Sequence, residues 1–206
     1  MTLAEKIVRG QRIQTAILRN ISERKALEEE LRLQSITDTL TELYNRRHFH
    51  SLAQNEAERS LRNRAPFSVL LMDVDRFKQY NDAFGHDEGD KVLRTLGAEI
   101  RKNFRTMDTG FRHGGEEFLV LLPETPAESA IIPAERLRKR FSEIPFLPHS
   151  GEKPRNVTLS IGVAEFRPGL SIDDLVRSAD RAMYAAKNAG RNRTVSYEHL
   201  VAQPVE

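Results

Sequence analysis

The sequence predicts an α/β sandwich in which one mostly antiparallel central sheet is flanked by helices, and three observations predict it. From Asp38 onward, apolar stripes at spacings of three and four alternate with short apolar runs. Two of those runs, Val69 to Met72 and Phe118 to Leu122, have the length of buried strands. The pair Gly114-Gly115 directly before the second run marks a tight hairpin. The resulting order, β-α-β-β-α-β preceded by a helix, is that of a palm-like, ferredoxin-like sandwich.

The elements follow in order. Arg12 to Leu18 reads as a short strand, and Ser22 to Leu33 as a charged helix with Ser22 as its N-cap. Leu27 and Leu31 give that helix a short seam, which suits either a solvated linker or a dimerising coiled coil. A lone strand and helix bury no core, so residues 1–37 read as the tail of something larger and a linker helix. Residues 38–200 form the predicted domain and 201–206 a C-terminal tail. Within the domain, Leu43, Phe49, Leu52, Ala53 and Ala57 make a helical stripe, and Phe67 to Asp73 a buried strand ending in an acid. Asn81 to Asp90 reads as a polar, glycine-punctuated loop entering a helix with Leu93, Leu96, Ile100 and Phe104 on one face. After the glycine hairpin comes a helix over Ala127 to Ile144, whose Pro133 is expected to kink it or delay its start. Gly151 to Asn156 is a predicted turn, Val157 to Ala164 a strand, Ile172 to Asn188 a helix, and Thr194 to Tyr197 a closing strand.

Composition narrows the chemistry. The 206 residues suffice for one domain and a short appendage, with 39% hydrophobic and 30% charged residues as in ordinary globular proteins. Cysteine is absent, which excludes disulfides, thiolate catalysis and cysteine-bound zinc. No apolar run approaches the ~20 residues needed to span a bilayer, and no signal peptide is evident, so the expected location is cytoplasmic. Net charge is +2, tryptophan is absent, and no aromatics interleave with the arginine clusters; a nucleic-acid partner is not expected.

The chemistry-bearing residues are acids and small polar groups. Glu116 and Glu117 sit side by side at the hairpin, and two adjacent carboxylates repel unless a cation or proton compensates them. Pairing of the two buried strands would bring Asp73 to them, giving the oxygen donors a hard ion such as Mg²⁺ takes. Two such ions would suit phosphoryl transfer. Asn81 and Asp90 are residue types that could read guanine, with the carboxylate accepting from its two adjacent donors, or they could be a turn residue and a helix-start acid. Lys187 and Arg191 could neutralise phosphates or simply favour a helix's negative end. Arg105 and Asp108 could form a minor surface ion pair. His86 reads as a structural or phosphate-neighbouring residue.

Taken in order, these motifs resemble the GGDEF family of diguanylate cyclases over roughly Asp38 to Tyr197. The residues that carry the resemblance are Asp38-Thr39-Leu40-Thr41, Asp73-Val74-Asp75-Arg76-Phe77-Lys78, Asn81 through Asp90, Gly114-Gly115-Glu116-Glu117-Phe118, Ser160-Ile161-Gly162-Val163-Ala164 and Ala179 through Lys187. The resemblance implies a nucleotidyl-cyclase-like palm that condenses two GTP into cyclic di-GMP and two pyrophosphates as a homodimer. It implies a metal shell of Asp73, the Val74 carbonyl, Glu116 and Glu117, holding two Mg²⁺ or, in substitution, Mn²⁺. Glu116 and Glu117 become the catalytic pair, with Glu116 assisting deprotonation of the attacking 3′-hydroxyl. Asn81 and Asp90 become the guanine readers, and Phe77, Lys78, His86, Lys187 and Arg191 surround the phosphates. Arg105 and Asp108 fall on an inhibitory product site, with Arg59 and Arg136 as secondary contacts.

The segment from Arg12 to Lys25 resembles the end of a PAS sensor domain, which would make the following helix a signalling helix. Two departures stand out: Glu42 where the family often has glycine, and Arg76 where an apolar or aromatic residue is usual. The alternative to a working enzyme is a catalytically idle module that senses GTP or cyclic di-GMP. A polymerase-like palm shares the metal logic but lacks a template groove. The full set of acids, with Asn81, favours the enzyme.

Overall fold

The computed structural model describes residues 2–8, 11–17, 35–147, 153 and 155–202. The chain divides into two compact units, Met1–Ser35 and Ile36–Glu206. In the first, strands β1 (Thr2–Val8) and β2 (Gln11–Ile17) pair antiparallel, Thr2 opposite Ile17. The sequence reading has only the second of these strands. The predicted helix from Ser22 to Leu33 lies outside the described residues.

The second unit runs β3 (Tyr44–Asn45), α1 (Arg46–Asn63), β4 (Ser68–Val74), α2 (Phe77–Phe84), α3 (His86–Asn103), β5 (Thr109–Gly114), β6 (Glu117–Leu122) and α4 (Ala127–Ser142). It continues through β7 (Pro145–Phe146), β8 (Arg155–Asn156), β9 (Leu159–Glu165), α5 (Ile172–Asn188), β10 (Arg193–Ser196) and α6 (Tyr197–Ala202). Six strands form one sheet in the order β10-β9-β4-β6-β5-β3. Its three inner pairings are antiparallel and both outer ones parallel. The central four strands have the split β-α-β arrangement expected of a ferredoxin-like palm.

Period-2 alternation sorts the strands into two cores. Leu70, Met72 and Val74 of β4, with Phe118, Val120 and Leu122 of β6, face Val92, Leu96 and Ile100 of α3 and Leu137 and Phe141 of α4. Val69 and Leu71, with Leu119 and Leu121, face Phe49 and Ala53 of α1 and Leu175, Ala179 and Met183 of α5. Helix α5 lies very close to β9. A Cβ on Gly162 would stand 2.0 Å from the Ala179 carbonyl oxygen, so only glycine allows that approach. The approach fixes where the C-terminal end of α5 reaches the sheet.

Several expectations need correction. Asn81 to Asp90 is not a loop: it is the end of α2, a break at Gly85 with φ +87°, and the first turn of α3. Tyr80 and Phe77 on α2 and Val92 and Leu93 on α3 bury one face, and that burial outweighs the polar, glycine-containing composition. Pro133 does not delay α4, which starts at Ala127 and continues through it. The buried face Ala130, Ala134, Leu137 and Phe141 offsets the one lost backbone bond. β9 starts at Leu159 rather than Val157, and Arg155 and Asn156, read as part of a turn, pair with Pro145 and Phe146.

Candidate active site

Alternation along β4 places Asp73 on the face of Val69 and Leu71, the face that α5 covers. Antiparallel pairing with β6 sets Asp73 directly opposite Glu117, the first residue of that strand. Glu116 lies in the turn just before, where Gly115 has φ +53°, and its carbonyl oxygen accepts from the Val74 N–H at 3.3 Å. Two consecutive acids can therefore serve one locus because only the second has entered the pleat. Lys187, in the last turn of α5, brings its Nζ to 2.8 Å from Asp73 Oδ2.

The electrostatics record an excess of negative charge. Burial raises the Asp73 carboxyl above its ordinary value, Lys187 pulls it back, and Asp75 pushes it further up. Glu116 and Glu117 are likewise raised, first by burial and then by Asp73, with Lys187 opposing. Arg191 also lowers Asp73, so its guanidinium acts on the same locus. All the donors are hard oxygens whose charge is incompletely balanced, which fits a divalent cation completed by a ligand's own oxygens. Among the described residues no three His, Asp or Glu side chains form a ready-made metal cage. The Lys187 ammonium is the positive charge that Asp73 holds.

Beside the acids, α2 begins at Phe77 immediately after Arg76, which has left-handed backbone at φ 58°. The first amides of a helix have no intrahelical acceptor and point along its axis, as an anion requires. Lys78 is exposed and Phe77 buried. Across the α2–α3 break, Asn81 and Asp90 belong to neighbouring helices. A Cβ on Gly89 would lie 1.8 Å from Asn81 Oδ1, so the amide occupies the space that this glycine leaves. That Oδ1 is closed to solvent and has no hydrogen-bond partner. Asp90 is half-exposed, with Arg94 at 3.8 Å. His86 opens α3 and is exposed.

Sequence reasoning missed three supports. Arg112 of β5 reaches back to Asp38, both carboxylate oxygens lying 3.2 Å from its Nη1, and donates to the Gly115 carbonyl at 2.8 Å. It thus ties the glycine turn to the start of the domain, where Asp38 also accepts from Thr41 N–H and Oγ1. Asp75 turns away from Asp73 and accepts from Thr158, Ser160 and the Asn192 N–H. A cavity of about 400 Å³ opens beyond α2, lined among others by Arg76, Tyr80 and Arg191. Apart from Arg112 to Gly115, the partners are remote in sequence, which is why sequence reasoning missed them.

Away from the acids, Arg105 and Asp108 close the turn after α3. The Arg105 N–H donates to Asp108 Oδ2 at 2.9 Å, and the Asp108 N–H donates to the Arg105 carbonyl at 3.0 Å. They line a cavity of about 320 Å³ together with Arg136, Ser129 and Glu124. Burial raises the Asp108 carboxyl, with Arg105 and Arg136 opposing. Arg59 is paired with Glu124 on that side.

Residues 35–193 match the family model described as diguanylate cyclase, GGDEF domain. The chain is 41% identical over 187 residues to the diguanylate cyclase DgcM of Escherichia coli, covering 91% of this chain and 44% of that protein. It is 42% identical over 173 residues to the response regulator PleD of Caulobacter vibrioides, covering 84% of this chain and 38% of that one. It therefore spans less than half the length of these curated relatives. Among solved structures, the coiled coil and GGDEF domain of DgcB from Caulobacter crescentus in complex with c-di-GMP superposes with TM-score 0.81 at 29% identity. That match covers 85% of this chain and 93% of the DgcB chain. The active GGEEF domain of a Vibrio cholerae diguanylate cyclase matches with TM-score 0.69 at 38% identity, over 74% of this chain and 96% of that one. No helix among the described residues is long and apolar enough to cross a membrane.

Proposed function

The chain belongs to the GGDEF family of diguanylate cyclases, and from that membership we propose that it condenses two GTP into cyclic di-GMP and two pyrophosphates. The observation that carries the reading is the register of Asp73 against Glu117, with Glu116 bonded to the same strand end. Members of the family use a divalent cation, and here Asp73, the Val74 carbonyl, Glu116 and Glu117 would hold it, as Mg²⁺ with Mn²⁺ able to substitute. Bound there, the cation would offset charge on the carboxylates and the triphosphate.

The chain's own residues do the rest. The amides of Phe77 and Lys78, with Lys187, Arg191 and His86, bind the triphosphate. Asn81 and Asp90 read the guanine, with the Asp90 carboxylate accepting from its adjacent N–H donors and the Asn81 amide completing the readout. Glu116 assists deprotonation of the 3′-hydroxyl of the attacking nucleotide. The 3′-oxygen forms its bond to the α-phosphorus, the α–β bridging bond breaks, and pyrophosphate leaves. One domain holds one nucleotide, so two copies must face each other antiparallel and the step occurs twice to close the ring. Positioning and charge neutralisation supply most of the acceleration.

Cyclic di-GMP binds back at Arg105 and Asp108, with Arg136 in the same cavity and Arg59 at its edge, and slows further turnover. The test is direct: incubate the protein with GTP and Mg²⁺ and separate the nucleotides by chromatography. Cyclic di-GMP formed by the parent and lost in Glu117→Gln supports the enzyme. Tight GTP binding without turnover in the parent would replace it with a sensing module.

A further inference from the structure

We propose that Asp75 is a positioning residue for Arg191, holding the strained turn that presents this arginine to the triphosphate; the inference rests on the nucleotide site described above. The starting point is a carboxylate that is hard to justify otherwise. Asp75 is 7% exposed and no cation pairs with it among the described residues. Its partners are neutral donors: Ser160 Oγ to Oδ1 at 2.6 Å, and Thr158 Oγ1 and the Asn192 N–H to Oδ2 at 2.6 and 3.0 Å. A buried charge held only by neutral groups is expensive. This one also lies two residues from Asp73 and adds negative charge beside a site that must accept an anion. A hydroxyl or amide would fill the space without that penalty, so the charge has a task.

The task is visible 117 residues further along the chain. Arg191 and Asn192 both have left-handed backbone, φ 60° and 45°, a conformation that residues with a Cβ adopt at a cost. Asparagine tolerates it better than arginine does. Two such residues in succession persist only where neighbours over-determine them. The Arg191 N–H donates to the Ala186 carbonyl at 3.0 Å, and Arg138 donates to Asn192 Oδ1 at 2.5 Å. Among the described residues, Asp75 alone bonds the turn to the segment that leaves β4, the strand that bears Asp73. The ionised carboxylate strengthens that bond to a backbone N–H. Arg191 itself makes no side-chain ion pair among the described residues, yet it acts on Asp73. Its side chain lines the cavity with Arg76 and Tyr80, and Asp75 helps set the backbone geometry that carries it.

Asp75→Asn keeps the shape but removes the charge from the bond to the Asn192 N–H, whichever way its amide turns. The measurement is calorimetric binding of a non-hydrolysable GTP analogue and of GMP, with Mg²⁺ present, alongside amide hydrogen exchange at Asn192. Asp75→Asn is expected to weaken the GTP analogue about tenfold while GMP, which lacks the β- and γ-phosphates, stays within about twofold. Exchange at Asn192 is expected to quicken by about tenfold or more. In an Arg191→Ala background, Asp75→Asn should weaken the GTP analogue no further. Thr158→Val, which deletes only a hydroxyl sharing Oδ2, should act in the same direction more weakly, and it decides the matter if Asp75→Asn does not fold. Equal loss of both ligands, or additive losses with Arg191→Ala, would overturn the assignment. If the parent binds the GTP analogue and Asp75→Asn binds it equally well, only this inference falls. A parent that binds no guanine nucleotide overturns the functional reading beneath it.

Discussion

Gly89→Ala should separate binding from stability with opposite signs. Gly89 lies inside the first turns of α3, where alanine ordinarily stabilises a helix by about 1 kcal/mol over glycine. Yet the new methyl would stand 1.8 Å from Asn81 Oδ1, 2.9 Å from its Cγ and 3.1 Å from Phe77 Cζ. Ordinary contact is about 3.5 Å, so the Asn81 amide must move by roughly 1.5 Å. The atom in the way is the end of a rotatable side chain, and it can swing aside without moving either helix. The fold then keeps most of its helical gain, but the base loses the amide placed to read it. A lost hydrogen bond to a buried donor is worth about 1–3 kcal/mol, which is roughly five- to 150-fold in affinity. Calorimetric titration with GTP reads the affinity, and scanning calorimetry reads the stability. The expected result is a clear rise in the GTP dissociation constant with a melting temperature unchanged or slightly higher. GTP affinity equal to that of the parent would refute the role of Asn81. A fall in melting temperature would show instead that the helices were pried apart.

Three further outcomes follow from the charges. Asp73, Glu116 and Glu117 have raised folded-state values, so their ionisation removes stability as pH climbs from the unfolded carboxylate range near 4 through those values. Glu117→Gln should therefore melt about 2–4 °C higher than the parent at pH 7, with the difference vanishing near pH 4 in scanning fluorimetry. Millimolar Mg²⁺ should raise the parent more than the variant; an equal response would remove Glu117 from the cation's shell. Asp38 behaves oppositely. Burial pushes its carboxyl up, but Thr41 and Arg112 outweigh burial, so its folded value is lowered. The stability it contributes is present above the unfolded value and lost as pH falls through the folded one. Arg112→Ala should cost about 1–2 kcal/mol in urea unfolding at pH 7 and flatten the acid limb below about pH 4. An unchanged limb would detach the glycine turn from the Asp38 contact. Arg105→Ala should relieve inhibition by added cyclic di-GMP without lowering the initial rate, and undiminished inhibition would take Arg105 out of the product site.

How much of this was legible in the sequence depended on whether a signal was periodic. Helix α5 begins at Ile172 and ends at Asn188 as read, because Leu175, Ala179, Ala182, Met183 and Ala186 repeat at helical spacing over its whole length. The opposition of Asp73 and Glu117 was readable only on the condition that the two strand-length runs pair, which they do. Asn81 to Asp90 was misread because glycine and polar residues suggest a loop locally. Its helicity is imposed by burial of Phe77, Tyr80, Val92 and Leu93 against the sheet, a tertiary effect. Two-residue strands such as β3 and β7 are too short to carry a period. Contacts such as Arg112 to Asp38 and Asp75 to Asn192 join segments that become neighbours only once the sheet has formed.

Glu42, Arg64 and Glu124 hold left-handed backbone elsewhere in the fold, but several other places where local rules are broken share one region. Three carboxylates are raised by burial and by one another, Asn81 leaves an acceptor unpaired, and Arg76, Arg191 and Asn192 hold left-handed backbone without glycine. Each departure costs stability by itself, and the cores on both faces of the sheet offset them together. All of them lie at one end of the central strands, or on the loops and helix ends that flank it. A ligand with a cation-binding polyphosphate at one end and N–H donors at the other would meet the excess charge and the Asn81 amide at the same moment. Glu117→Gln relieves charge alone and Gly89→Ala disturbs the amide alone. The two variants together should therefore lose affinity by nearly the product of their separate factors, as for independent sites on one ligand. Strong coupling between them would mean that the acids and the Asn81 amide are not engaged by the opposite ends of a single molecule.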